Sequence, residues 1–112
     1  KGDLSGSEPI SFNNGSLLLD GQTYMATLKG NPVRLTSTEF KLLFTLAGSP
    51  DRVFTRSELV EKALGYQFEG YERSVDAHIK NIRRKLEDDS QNPVFIHTVY
   101  GVGYRFTGKR DA

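Results

Sequence analysis

The sequence predicts an α+β domain in which a four-stranded antiparallel sheet is followed by three helices and a C-terminal β-hairpin. Three observations support this prediction. Tight-turn dipeptides separate short apolar runs in the first third of the chain. Two helix-capping sequences each precede an apolar stripe at helical spacing. Near the end, two β-rich runs flank a glycine-containing tip. The length of 112 residues, 37% of them hydrophobic, fits one domain with one modest core.

Turn sequences divide the N-terminal third into strands. Asn14–Gly15 and Asp20–Gly21 both tolerate positive φ, and Lys29–Asn31 forms a third turn. The predicted strands are Ile10–Phe12, Leu17–Leu19, Thr23–Leu28 and Val33–Leu35. Residues 1–8 are small and polar and are predicted to be a linker remnant. The domain is expected to span residues 9–108, with residues 109–112 as a C-terminal tail.

Two capping boxes of the form T-x-x-E start the first two helices. Thr36 and Glu39 precede a stripe that Gly48 and Pro50 terminate. After an extended link at 52–54, Thr55 and Glu58 start the second helix, which Gly65 ends. The two apolar stripes consist of Phe40, Leu43, Phe44 and Ala47, and of Leu59, Val60, Ala63 and Leu64.

The third helix, predicted from about Arg73 to Glu87, has one apolar and one basic face. On a helical wheel its apolar residues fall within about 60° of one another. From Arg73 to Leu86 there are five Lys or Arg and one Asp, although the whole chain has a net charge of only +1. The apolar face carries Val75, Ile79, Ile82 and Leu86, and the opposite face carries Arg73, Ser74, Ala77, Lys80, Asn81 and Arg84.

A basic helix of this kind suits the major groove of DNA. Arg and Lys would meet phosphates, Ser74 and Asn81 would address base edges, and Ala77 would allow close approach. For the helix alone, an ordinary solvated face is the better interpretation. The hairpin, Phe95–Tyr100 and Tyr104–Phe106, changes this balance because a ribbon behind such a helix can reach the DNA backbone.

Several hairpin residues have two possible roles. Hydroxyls of Thr98 and Tyr104 could donate to phosphates, but both residues could equally pack against the third helix, and both interpretations remain open. Phe106 is expected to pack in the core. The residues that add positive charge behind them are Arg105, Lys109 and Arg110.

Other chemistry finds little support in the sequence. The chain has no cysteine, so disulfides and thiolate metal sites are excluded. His78 and His97 lack a second ligand at metal spacing, so no metal site or cofactor is expected. No catalytic constellation is visible, and Asp76 is expected to pair with Lys80 on its own helix. Turn geometry explains Gly101 and Gly103. No apolar run is long enough to span a membrane.

Four runs of residues together resemble the OmpR/PhoB class of response-regulator output domains. They occur in the family's order and spacing, and the resemblance covers Ile10 to Thr107. The runs are Leu35–Leu43, Val53–Leu59, Arg73–Ile79 and Thr98–Phe106.

The resemblance implies a winged helix-turn-helix fold and transcriptional regulation in a cytoplasmic two-component system. A phosphorylatable receiver domain would precede Lys1 and answer to a sensor kinase. Output domains of this class bind tandem half-sites in promoter DNA and contact RNA polymerase; the domain alone would be a monomer that pairs on DNA.

The resemblance also assigns roles to residues. The base-facing residues would be Ser74, Ala77, His78 and Asn81. The phosphate-contacting residues would be Arg73, Lys80, Arg84, Thr98, Tyr104 and Arg105. The wing tip would be Tyr100 and Val102, and the polymerase-contacting loop, within 65–72, would include Tyr66, Gln67, Phe68, Glu69 and Tyr71.

Two departures from the family pattern bear on DNA reading. Tyr100 stands where several relatives have an Arg that enters the minor groove, and a tyrosine cannot make that contact as a cation. Asn81 favours adenine, where Arg would favour guanine. The alternative to DNA binding is a winged helix that docks on another protein through the 66–72 loop.

Overall fold

A computed structural model describes residues 9–65, 71–89 and 91–112. These residues form two antiparallel sheets and three helices, and buried residues of both sheets and of the helices share one core. The elements in chain order are β1 (Ile10–Phe12), β2 (Leu17–Asp20), β3 (Met25–Leu28), β4 (Asn31–Val33), α1 (Ser37–Ala47), β5 (Val53–Thr55), α2 (Arg56–Leu59), α3 (Tyr71–Leu86), β6 (Ile96–Val99) and β7 (Gly103–Phe106).

The N-terminal sheet is the predicted meander, with strand order β1-β2-β3-β4. The predicted bounds of the third and fourth strands were wrong. β3 begins at Met25 because Tyr24 has a φ of 59°, which interrupts an extended strand. Lys29 and Gly30, with φ values of 51° and 84°, form the whole turn between β3 and β4. Asn31 therefore already pairs with Leu28, and β4 ends at residue 33.

Both predicted capping boxes are present. Thr36 Oγ1 accepts a hydrogen bond from the Glu39 amide, while the Glu39 carboxylate accepts one from the Thr36 amide. Thr55 and Glu58 repeat the arrangement at the start of α2. The second helix continues beyond Leu59 as a π-helical segment, Val60–Leu64, and ends at Gly65, whose φ is 77°.

The helix α3 begins at Tyr71, two residues before the predicted start. Its apolar stripe is confirmed: Val75, Ile79, Ile82 and Leu86 are between 0% and 3% exposed. The stripe packs into a core that also contains Phe40, Leu43 and Leu46 of α1 and Phe12, Leu17 and Leu19 of the N-terminal sheet.

The C-terminal hairpin belongs to a three-stranded sheet of order β5-β7-β6. The segment that the sequence suggested as an extended link pairs with β7, so that Phe54 lies opposite Tyr104 and Thr55 opposite Gly103. Gly103 is the point of closest approach, since a Cβ atom there would lie 1.9 Å from the carbonyl oxygen of Phe54. Turn geometry therefore explains Gly101, whose φ is 80°, but not Gly103.

Residues 109–111, predicted to lie in a tail, are attached to the N-terminal sheet. The amide of Lys109 donates to Asn13 Oδ1 over 2.7 Å, and Arg110 forms a β-bridge with Phe12. The Asp111 carboxylate accepts hydrogen bonds from Ser11 Oγ and from the amides of residues 14 and 15. The Ser11 hydrogen bond in particular holds the pKa of Asp111 below its usual range. This segment therefore links the two sheets.

In the described ranges, no helix is long and apolar enough to cross a membrane. The same residues contain no group of three His, Cys, Asp or Glu side chains that could hold a metal ion.

Candidate nucleic-acid interface

The solvent-facing side of α3 presents separated cations around a small residue. Arg73, Ala77, Lys80 and Arg84 are exposed, spaced three to four residues apart along one side of the helix. The three cations form no ion pair with any residue in 9–65, 71–89 or 91–112. The hypothesis that this face lies outward, on which the DNA interpretation depends, therefore agrees with the structure.

The other predicted base-facing residues lie at the edges of this surface. Ser74, His78 and Asn81 are each partly buried, so their polar atoms border the exposed row. Short polar side chains in this position can reach base edges only if the helix itself enters a groove. Their assignment to base contacts stays a prediction.

The remaining two cations of α3 have internal roles. Lys85 Nζ donates to Glu39 Oε1 over 2.7 Å, and the Glu39 side chain is only 4% exposed. Burial opposes ionisation of Glu39, but the hydrogen bonds from Lys85 and from the Thr36 amide outweigh it and keep the pKa of Glu39 below its usual range. This pair fastens the end of α3 to the start of α1.

Arg83 connects α3 to the hairpin strand β6. Its Nε donates to the carbonyl oxygen of Ile96 over 3.1 Å, and its Nη2 donates to Thr98 Oγ1 over 2.6 Å. The guanidinium carbon lies 5.6 Å from the centroid of the Tyr104 ring. Thr98 keeps its own hydroxyl hydrogen for another acceptor, so its predicted phosphate contact stays open.

The hydroxyl of Tyr104, to which the resemblance assigned a phosphate contact, has a partner within the domain. Tyr104 is 8% exposed, and its hydroxyl donates to Asp76 Oδ1 over 2.5 Å. Since a phosphate offers only acceptors, this hydroxyl has no second hydrogen to give it. The packing interpretation holds for Tyr104, as it does for the fully buried Phe106.

Asp76 pairs outside its own helix, contrary to the expected contact with Lys80. Besides the Tyr104 hydroxyl, its Oδ1 accepts a hydrogen bond from Arg56 Nε over 2.9 Å. This hydrogen bond raises the pKa of Arg56 above its ordinary value. The expected pairing with the residue four positions later did not form, because Arg56 and Tyr104, 20 and 28 positions away in the sequence, bind the Asp76 carboxylate instead.

The tip and the outer face of the hairpin differ in exposure. Tyr100 is 90% exposed and Val102 is 51% exposed, so both predicted tip residues project from the wing. Arg105 is partly buried, and its Nε has no hydrogen-bond partner in the described part of the chain. Lys109 and Arg110 lie beside β1, away from the hairpin whose charge they were expected to supplement.

The predicted polymerase-contacting loop falls mostly outside the described residues. Tyr66, Gln67, Phe68 and Glu69 lie in the undescribed segment 66–70, and Tyr71 is the first residue of α3.

Arg56 and Arg83 are the residues at this surface that the sequence did not single out. Arg56 follows the Thr55 cap directly, a position that the capping box fixes beside α3. Arg83 is followed directly by two other cations, Arg84 and Lys85, and its contacts with Ile96 and Thr98 distinguish it from them. A sequence pattern marks the cations but not their partners.

The architecture is a winged helix: α2 and α3 form the helix pair, and the β6–β7 hairpin is the wing. The profile of the family described as "Transcriptional regulatory protein, C terminal" matches residues 30–106. The chain therefore belongs to this family of C-terminal domains of transcriptional regulatory proteins. The resemblance to the OmpR/PhoB class is confirmed.

Individual relatives agree. The chain is 47% identical over 89 residues to the uncharacterized transcriptional regulatory protein YclJ of Bacillus subtilis. The aligned region covers 79% of this chain and 38% of YclJ. The fold of this chain resembles that of the Klebsiella pneumoniae RstA DNA-binding domain, which was solved in complex with the RstA box. The TM-score is 0.77 at 34% identity, and the match covers 88% of this chain and 96% of the RstA domain. For the Thermotoga maritima OmpR/PhoB homolog DrrB the TM-score is 0.77 at 38% identity, covering 87% of this chain and 44% of DrrB.

The chain is much shorter than its curated relatives. It spans 38%, 46% and 44% of the length of YclJ, of RegX3 of Mycolicibacterium smegmatis and of HssR of Staphylococcus saprophyticus, respectively.

Proposed function

We propose that this domain regulates transcription by binding double-stranded promoter DNA in a sequence-specific way. The helix α3 enters the major groove, and the β6–β7 hairpin lies along the backbone as the wing. One observation carries the proposal: the apolar stripe of α3 is buried, while Arg73, Lys80 and Arg84 remain exposed. The DNA-bound RstA domain, which has the same fold, supports it.

Within this proposal, contacts divide by chemistry. Arg73, Lys80 and Arg84 meet phosphates and fix the register of the helix, because an exposed cation gains from counterion release whatever the sequence. Base edges are read by the smaller residues between them, namely Ser74, Ala77, His78 and Asn81.

The proposal extends to the partners of the domain. As the output half of a two-component response regulator, it would act with a receiver domain of the same protein and a cognate sensor kinase in a phosphorelay. It would bind tandem half-sites as a dimer on DNA, being a monomer alone, and contact RNA polymerase. Relatives named as response regulators support the first of these partners.

Salt dependence of binding tests the proposal. A duplex is first selected from a random pool, and its affinity is then measured at several salt concentrations. The logarithm of the binding constant should fall with the logarithm of salt by about 0.9 per neutralised phosphate. Lys80→Ala should reduce this slope by about 0.9 without changing the selected sequence. Lys109→Ala, an exposed lysine beside β1, serves as the matched control and should leave the slope unchanged.

A second candidate is a winged helix that docks on a protein through residues 66–72. Absent or salt-independent DNA binding, together with retained binding to isolated polymerase subunits, would favour this candidate and contradict the first. A protein-docking surface usually loses charge at its centre, whereas the exposed face of α3 is cationic.

A further inference from the structure

An acid on the cationic face of α3 requires an explanation. Asp76 lies three residues after Arg73 and four before Lys80, so it shares their side of the helix. A carboxylate in this position repels DNA phosphates and weakens binding. Its presence there therefore indicates that it has another role. Its side chain is 45% exposed and therefore close to the proposed DNA surface.

Asp76 joins three elements that contribute to that surface. Its Oδ1 accepts hydrogen bonds from Arg56 at the start of α2 and from Tyr104 in the wing strand β7. The positive charge of Arg56 also compensates the charge of the carboxylate locally. One oxygen atom therefore connects α3 to both of its neighbours in the winged helix.

The contact with the wing is well defined because Tyr104 has little freedom. Burial, reinforced by the hydrogen bond to Asp76, raises the pKa of Tyr104 to about 12, so its hydroxyl remains a donor in neutral solution. The Tyr104 ring lies beside the Arg83 guanidinium, which holds β6 through Ile96 and Thr98. Both strands of the wing are thus tied to α3 by side chains.

We propose that Asp76 is a positioning residue: by holding Tyr104 and Arg56, it fixes the wing relative to α3 and thereby makes the base pairs under the wing part of the bound site. The proposal rests on the DNA-binding function proposed above. The proposal predicts two opposite effects of Asp76 on affinity for DNA. Its hydrogen bonds increase the part of the affinity that the wing adds, and its negative charge decreases the part that α3 provides.

Two duplexes separate these contributions. One carries the full selected site, and the other is shortened on the wing side by about 5 base pairs, roughly half a helical turn. The ratio of the two binding constants is the gain due to the wing. A charge effect of Asp76 on α3 is common to both duplexes and cancels in this ratio.

Asp76→Ala and Tyr104→Phe should each reduce the gain about tenfold, as expected for the loss of a hydrogen bond to a charged group. Tyr104→Phe is the more conservative change, because it removes only the hydroxyl. The matched controls are Asp88→Asn, an exposed acid just beyond α3 that pairs with Lys29 over 3.0 Å, and Tyr24→Phe in the turn between β2 and β3. Both should retain the full gain.

Amide hydrogen exchange in the free, folded domain provides a second measurement. Amides of the hairpin, residues 99–103, should exchange faster in Asp76→Ala and Tyr104→Phe, and those of β2 and β3 should not. Equal losses of affinity for both duplexes, or unchanged exchange in the hairpin, would show that Asp76 has only a general structural role and would overturn the proposal. If the unmodified domain binds neither duplex, the proposed function itself fails.

Discussion

Replacement of Gly103 by alanine should separate the wing from β5. A Cβ atom at this position would lie 1.9 Å from the carbonyl oxygen and 2.9 Å from the carbonyl carbon of Phe54, and 3.0 Å from Thr55 Cα. All three are backbone atoms, so no change of rotamer relieves the overlap. The strand β5 would have to retreat by about 1.5 Å to bring the closest contact, now 1.9 Å, to an ordinary van der Waals distance.

The expected loss of stability combines two effects. Overpacking in a well-packed core costs about 1–3 kcal/mol, and each strained ladder hydrogen bond adds about 1 kcal/mol. We therefore expect the free energy of unfolding to fall by about 3 kcal/mol. For a domain of this size the melting temperature should decrease by roughly 12–24 °C.

Gly101→Ala is the matched control in the same hairpin. Gly101 has a φ of 80°, but within the described ranges no atom beyond its chain neighbours lies within 4 Å of the position that an alanine methyl group would take. Alanine there therefore suffers only backbone strain, which costs about 1–2 kcal/mol. Thermal unfolding followed by circular dichroism measures both variants. Equal losses at the two positions would show that the close approach of β5 and β7 does not determine the requirement for glycine.

Three further predictions concern other parts of the domain. Glu39→Gln should lower the free energy of unfolding by about 2 kcal/mol at neutral pH, less than for a fully buried pair because Lys85 is partly solvated. Since the pKa of Glu39 is lowered by folding, its contribution is present above the ordinary value of 4.5 and is lost as the pH falls through the folded value. Urea unfolding between about pH 6 and pH 3 should consequently change less in the variant; an identical pH dependence would contradict this account. Asn81→Ala should alter the base preference at one adenine of the selected site, and an unchanged preference at every position would refute the adenine contact. Asp111→Ala should lower the melting temperature, because Ser11 and the following turn lose their acceptor, while affinity for DNA stays the same.

Local signals in the sequence predicted the starts of the first two helices and the buried face of α3. A capping box needs only four consecutive residues, and Thr36 with Glu39 forms one in any context that permits a helix. The apolar period likewise identified Val75 and Ile79 as core residues. Both features depend on residues less than two helical turns apart, so the local sequence is sufficient to predict them.

Features that depend on distant partners could not be predicted in this way. Gly21 has the sequence signature of a turn, but a Cβ atom there would lie 2.9 Å from the Phe44 ring. Gly103 likewise depends on Phe54, almost fifty residues earlier. The strand β5 is three residues long and is recognisable only through its pairing with β7. The same reason explains why the partner of Asp76 was wrong and why Arg83 was overlooked.

The bridge between Phe12 and Arg110 places the first strand and the last residues of the domain side by side. Any group attached at Pro9 or at Asp111, whether a fluorophore, a surface anchor or a fused protein, is therefore tethered on the same side of the molecule. A force applied between Pro9 and Asp111 would load the Phe12–Arg110 bridge and the hydrogen bonds of Asp111 first. The helix pair and the wing would bear tension only after these contacts had broken.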